Sequence, residues 1–178
     1  MSFASDGTTS GGVSEADQAA VQRQLGRAPR GLVAVGHRCE CGEPDVVTTS
    51  PRLPDGTPFP TLYYVTCPRL TGAVSTLEAE GRMRQMQDRL SEDPELRASY
   101  HRAHELYLEE RDAISHVDEL ATVSAGGMPD RVKCLHVLVG HSLAAGRGVN
   151  TFGDEALDEI AERSLLKGSS CAARSAQA

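Results

Sequence analysis

The stretch Val132-Lys133-Cys134-Leu135-His136-Val137-Leu138-Val139-Gly140-His141 decides how this chain folds. Its apolar residues, continued by Leu143, point nearly all round a helix, which marks an element buried on every side. Other elements must therefore cover it. The same stretch carries one thiol and two imidazoles, groups that a buried apolar helix seldom holds without partners. Pro129-Asp130 offers a start, because the missing N–H of proline is not needed in a first turn. Residues 121–128 before it are a Ser, Ala and Gly loop.

Working outward, the pattern is helical from Cys67-Pro68 onward. One helix runs from Pro68 to about Glu80, where Gly81 ends it, and a second runs from about Arg82 to Leu90. A third starts near Pro94, and its Leu96, Tyr100, Ala103 and Tyr107 form an i, i+4, i+7, i+11 stripe that packs on one side. The acidic segment Asp154 to Glu162 reads as a short surface helix. Upstream, Leu32 to Cys39, Asp45 to Thr49 and Thr61 to Thr66 are strand-like, with Gly42-Glu43-Pro44 and Pro54-Asp55-Gly56 as turn chemistry between them. Pro51, Pro54, Pro58 and Pro60 cannot donate backbone hydrogen bonds, so the last two strands are joined by an extended, rigid loop. Ser14-Glu15-Ala16-Asp17 resembles a capping box for a helix from Glu15 to Leu25, closed by Gly26.

The fold expected is α+β: a small antiparallel three-stranded sheet followed by a helical bundle around a buried apolar helix. The 178 residues suffice for one domain with a real core. That domain is placed at residues 14–164, with disordered tails at 1–13 and 165–178, where Ser, Thr, Gly and Ala leave little to bury. No repeat of fixed period is visible.

A net charge of −7 and a pI near 5.3 argue against a general binder of nucleic acid or anionic membranes. Arginine makes up 16 of the 18 basic residues and lysine 2, a skew that carries no functional weight. There is no signal-peptide pattern and no apolar run long enough to span a bilayer, so the expected address is cytoplasmic. In that setting the five cysteines are expected to be reduced thiols, metal ligands or core filler.

If Cys134 and His136 both lie on the helix they are about 200° apart, too far round to serve one small site. Cys134 and His141 would share a face but sit about 10 Å apart along the axis. Any site must then borrow ligands from elsewhere: Cys67, His104 on the apolar stripe, or the run His37-Arg38-Cys39-Glu40-Cys41. In a strand His37, Cys39 and Cys41 share a face, and in a turn Cys39 and Cys41 can reach one ion. Zinc accepts Cys and His in tetrahedral geometry, with an open position for catalysis and a full shell for structure. Cys67 caps the helix beginning at Pro68, where the positive end of the macrodipole favours a thiolate. The plain alternative is that Cys134 is a small core residue, the histidines are partner-bonded, and Cys39 and Cys41 are incidental. Carboxylate pairs such as Glu109-Glu110 and Asp154-Glu155 read as solvated faces. No phosphate-binding glycine loop, nucleophile elbow or H-E-x-x-H run is present.

The runs Arg52-Leu53-Pro54-Asp55-Gly56-Thr57-Pro58-Phe59-Pro60-Thr61, Thr66-Cys67-Pro68 and Val132-Lys133-Cys134-Leu135-His136, with His141, resemble a bacterial family common in actinobacteria, known as domain of unknown function family 501. The similarity covers roughly Val21 to Ala161. It implies no reaction, and its members look like cytoplasmic proteins often encoded beside septum-formation and exopolyphosphatase genes. It does imply a shared site at Cys67, Cys134, His136 and His141, with His104 included and one wall formed by Arg52 and Asp55.

The leading expectation is a site where Cys67 and Cys134, helped by His104, His136 or His141, and by Cys39 and Cys41 as further ligands, bind zinc or an iron–sulfur cluster. Three or more converging thiols would favour iron. The rivals are a thiol enzyme, with Cys67 or Cys134 as nucleophile and a histidine as base on a small substrate, and a non-enzymatic module for cell-division or envelope protein partners using the charged helices between Glu78 and Asp112.

Overall fold

The computed structural model describes residues 12–166. Helix α1 (Glu15–Leu25) begins where the Ser14 hydroxyl accepts the Asp17 N–H at 3.1 Å, and it ends at Gly26, whose φ of 69° is left-handed. Strands β1 (Leu32–Arg38), β2 (Pro44–Thr49) and β3 (Tyr63–Val65) form one antiparallel sheet in the order β1-β2-β3. Val47 stands opposite Val35 on one side and Tyr64 on the other. Side chains alternate along a strand, so β2 is buried on both faces. Val46 joins the main core, while Val47 turns to a small cleft shared with Leu25, Leu53 and Tyr64.

The rest of the chain is helical: α2 (Pro68–Ala79), α3 (Arg82–Glu92), α4 (Pro94–Asp112), a short 3₁₀ turn (Asp118–Leu120), α5 (Leu135–Ala145) and α6 (Thr151–Glu162). Helix α5 lies against all three strands, α2 and α6, and residues 137–142 along it are buried. The protein is α+β, with a three-stranded antiparallel sheet and helices gathered round a buried apolar helix. Close approach needs small residues. A Cβ on Gly140 would meet the Tyr63 carbonyl at 3.1 Å, and one on Gly153 of α6 would collide with the Leu138 carbonyl.

Two expectations change. Helix α5 starts at Leu135, not near Pro129-Asp130, because the backbone before it is held by other partners. Val132 N–H reaches Gln87 Oε1 at 2.9 Å, Lys133 N–H reaches Gly126 O at 2.7 Å, and Arg131 O accepts Tyr100 Oη–H at 2.9 Å. Helix α6 is not a surface helix: it starts at Thr151, and Phe152, Ala156 and Ile160 along one face are buried against α5 and α4.

Arg111 is 1% exposed. Its guanidinium donates to the carbonyls of Pro60 at 3.1 Å, Val123 at 2.7 Å and Leu120 at 2.5 Å, tying the connection after α4 to the Pro-rich loop. Most of the tails placed at 1–13 and 165–178 lies outside the described residues. Among the described residues, no helix is long and apolar enough to cross a membrane.

Candidate functional site

Cys134 has φ −154° and ψ 110°, the extended backbone of an N-cap, so it stands just outside α5. The 200° separation expected of two helical residues therefore does not apply. Its Sγ lies 4.0 Å from His136 Nδ1. The same ring nitrogen is 3.2 Å from Glu78 Oε1, near the end of α2. That oxygen accepts the Leu135 N–H at 2.7 Å, filling a hydrogen bond the first turn of α5 cannot make internally. His136 Nε2 is 3.2 Å from the Thr71 carbonyl and 3.4 Å from Ser75 Oγ. The ring is thus oriented from both ends.

One ligand atom from each of Glu78, Cys134 and His136 lies within 4.8 Å of the others, and all three residues are half-buried. The donor set suits zinc, which takes thiolate sulfur, imidazole nitrogen and carboxylate oxygen. The second ring nitrogen on a backbone carbonyl is the support that metal-bound histidines usually have. One thiol does not suit an iron–sulfur cluster, which is held by several. Burial pushes the Cys134 thiol up, but the His136 ring and the Val137 N–H outweigh it and hold the thiol below its ordinary range. His136 is pushed up to about 9, first by Cys134 and then, against its burial, by the Glu78 charge. The ring thus favours the thiolate form of Cys134, and the thiol favours the protonated form of His136.

The other expected residues stand elsewhere. Cys67 caps α2, as expected, and is 2% exposed. However, Glu78 lies 11 residues along that helix, about 16 Å, so Cys67 and Cys134 do not share a site. Cys67 instead lines a cavity of about 990 Å³ with His37, Cys39, Cys41, Asp45 and Arg69. Cys39 and Cys41 are joined as a disulfide, against the expectation of reduced thiols, because the turn after β1 brings their Cα atoms to 5.3 Å. His104 is buried against Ser124, with Nδ1 2.8 Å from Oγ, and is not part of the Cys134 group. His141 is 0% exposed, with its ring stacked on Tyr63 and edge-on to Tyr107. Its Nε2 is 3.5 Å from Glu110 Oε2 and makes no hydrogen bond.

Arg52 and Asp55 do not wall either group. Arg52 pairs with Glu119 at 2.7 Å, and Asp55 pairs with Arg30 and accepts the Thr57 N–H at 3.0 Å. Glu78 was the residue that sequence reasoning missed. It sits among charged helical positions, and nothing local connects it to a site 57 residues away.

A family model described as "Protein of unknown function (DUF501)" matches residues 35–158. No curated protein and no solved structure matches this chain.

Proposed function

We propose that this chain, which belongs to the DUF501 family of proteins of unknown function, is a cytoplasmic zinc-binding protein whose ion is held by Cys134, His136 and Glu78. The observation that carries this reading is the convergence of the three ligand atoms within 4.8 Å. Cys134 supplies a thiolate, His136 supplies Nδ1 while Nε2 stays on Thr71, and Glu78 supplies a carboxylate oxygen while bonded to Leu135 N–H. Three protein ligands leave the fourth position of a tetrahedral ion for water or substrate, the pattern of catalytic sites. Such an ion lowers the pKa of bound water and polarises carbonyl or phosphoryl oxygens.

Zinc titration of the full chain by calorimetry, without reductant so that the Cys39–Cys41 disulfide is kept, tests this. One equivalent should bind, and Cys134→Ser and His136→Ala should each weaken binding by at least about tenfold. A folded wild-type protein that takes up no zinc, or equal affinity in Cys134→Ser, overturns it.

A second reading is favoured by the closeness of Cys134 Sγ to His136 Nδ1, 4.0 Å. In metal-free protein, Cys134 is an activated nucleophile whose base is held in place by Thr71 and Glu78. The two readings use the same atoms, and zinc would block alkylation of Cys134.

A further inference from the structure

The disulfide between Cys39 and Cys41 spans a single residue, in the turn after β1. Disulfide stabilisation grows with the length of the loop closed, so this bond contributes little to holding the fold. The turn has its own backbone support: Cys39 N–H bonds Glu43 O at 3.0 Å and Gly42 N–H bonds Cys39 O at 2.9 Å. Cys41 is exposed and Cys39 half-buried, and disulfides that solvent reaches are the labile ones. Both residues line the cavity of about 990 Å³ at the end of the sheet, a volume that takes a small organic molecule. Such a molecule spans groups several ångströms apart and does not need them to converge as an ion does. Leu143 and Leu157 give the cavity an apolar wall, and its charged residues differ in how far they are satisfied. Asp45 is held by His37, Oδ1 to Nδ1 at 2.8 Å, and Arg38 donates to both Asp17 carboxylate oxygens at 2.8 Å and to Gly42 O at 3.0 Å. Glu40 is exposed. Arg69, in the first turn of α2, is half-buried, and its Nε is buried with no hydrogen-bond partner among the described residues. A buried donor of a charged group without an acceptor is unfavourable, and a ligand that supplies the acceptor removes the penalty. Helix α2 also starts without a side-chain cap, so its first turn favours an anion too.

We propose that the Cys39–Cys41 disulfide is a thiol-exchange site for a low-molecular-weight thiol that carries a carboxylate, such as a cysteine-containing peptide, with the carboxylate seated at Arg69 and the first turn of α2. The thiol loses its proton to solvent, and its thiolate attacks the exposed Cys41 sulfur. A new S–S bond forms between the small molecule and Cys41. The Cys39–Cys41 bond breaks, and its electron pair leaves on Cys39, which takes a proton from solvent. One disulfide is exchanged for another, so the step needs no oxidant or reductant beyond the thiol itself. The product is a chain modified at Cys41, with Cys39 as a thiol. The site is separate from the Cys134 group, none of whose members lines this cavity.

The test uses the full chain carrying Cys134→Ser, so that the reactivity of that thiol does not enter, purified without reductant. Two probes share a thiol and differ in charge: N-acetylcysteine and its amide. The reaction is quenched with acid at early times, released thiols are blocked with N-ethylmaleimide, and fragmentation of the peptide that carries both cysteines is read by mass spectrometry. The probe should be found on Cys41 and the maleimide on Cys39. At equal thiolate concentration N-acetylcysteine should react at least about fivefold faster than the amide, as expected of one hydrogen bond to a charged group. Arg69→Gln should bring the two rates together, and Arg69→Lys should retain part of the preference. N-acetylalanine, which has the carboxylate but no thiol, should slow N-acetylcysteine toward the rate of the amide, a readout that needs no change at Arg69. A chain purified without reductant that lacks the disulfide, a probe found on Cys39 instead of Cys41, equal rates for the two probes, or no competition by N-acetylalanine would each overturn the proposal.

Discussion

Leu135 donates its backbone N–H to Glu78 Oε1 at 2.7 Å, and the same oxygen faces the His136 ring at 3.2 Å. One carboxylate thus closes the first turn of α5 and joins the candidate ligand group. Glu78→Ala should lower stability by about 1–3 kcal/mol, the range for a buried donor losing a charged acceptor. Glu78→Gln keeps an acceptor and should recover most of that loss while still weakening zinc. Urea denaturation and zinc calorimetry on the two variants separate the structural role from the ligand role. Equal stability of wild type and Glu78→Ala would refute the cap.

Alkylation of Cys134 should begin below the pH at which an ordinary thiol reacts, since the His136 ring holds the thiol down. His136→Gln should move the inflection upward by about one pH unit or more. Following iodoacetamide labelling of Cys134 by peptide mass spectrometry across pH 5–10 reads this directly. An inflection unchanged by His136→Gln would show that the ring does not activate the thiol.

His104 gives a pH dependence of stability. Burial holds its pKa below the ordinary 6.5, so the unfolded chain binds the proton more readily than the folded one. Stability is therefore intact above about pH 6.5 and declines as pH falls below it. His104→Gln, which keeps a hydrogen-bonding group for Ser124, should flatten that decline. Thermal melts between pH 5 and 8 check the slope, and an identical acid limb in the variant would remove His104 as its cause.

Gly153 is where α6 crosses α5. A Cβ there would collide with the Leu138 carbonyl and the Ser142 hydroxyl, so Gly153→Ala must push the helices apart. A loss of about 3 kcal/mol is expected, as for other overpacked cores. Wild-type stability in Gly153→Ala would mean that the crossing is looser than its geometry states.

Element boundaries were legible at Gly26, Pro68, Gly81 and Pro94, where glycine or proline marks them, whereas Pro129 marked none. The start of α5 was not legible. Val132 is buried in an extended segment, and a short apolar run reads the same whether strand-like or helical. That shift of a few residues decides the candidate site, because it turns Cys134 from the far side of a helix to the neighbourhood of His136. Helix α6 hid its buried face because only Phe152, Ala156 and Ile160 mark it among acidic neighbours. The division of the thiols into two groups depends on the length of α2, with Cys67 before its first residue and Glu78 one residue from its end.

The three carbonyls gathered by Arg111 have a further consequence. Residues 113–134 are largely without regular structure, the kind of long connection a protease would be expected to cut first. Yet Leu120 and Val123 are latched to a guanidinium in the core, and Val132 is held by Gln87. Local opening of this segment should therefore be rare in the native protein. Limited digestion should leave it intact until the whole domain unfolds, and Arg111→Met should turn it into the first place cut.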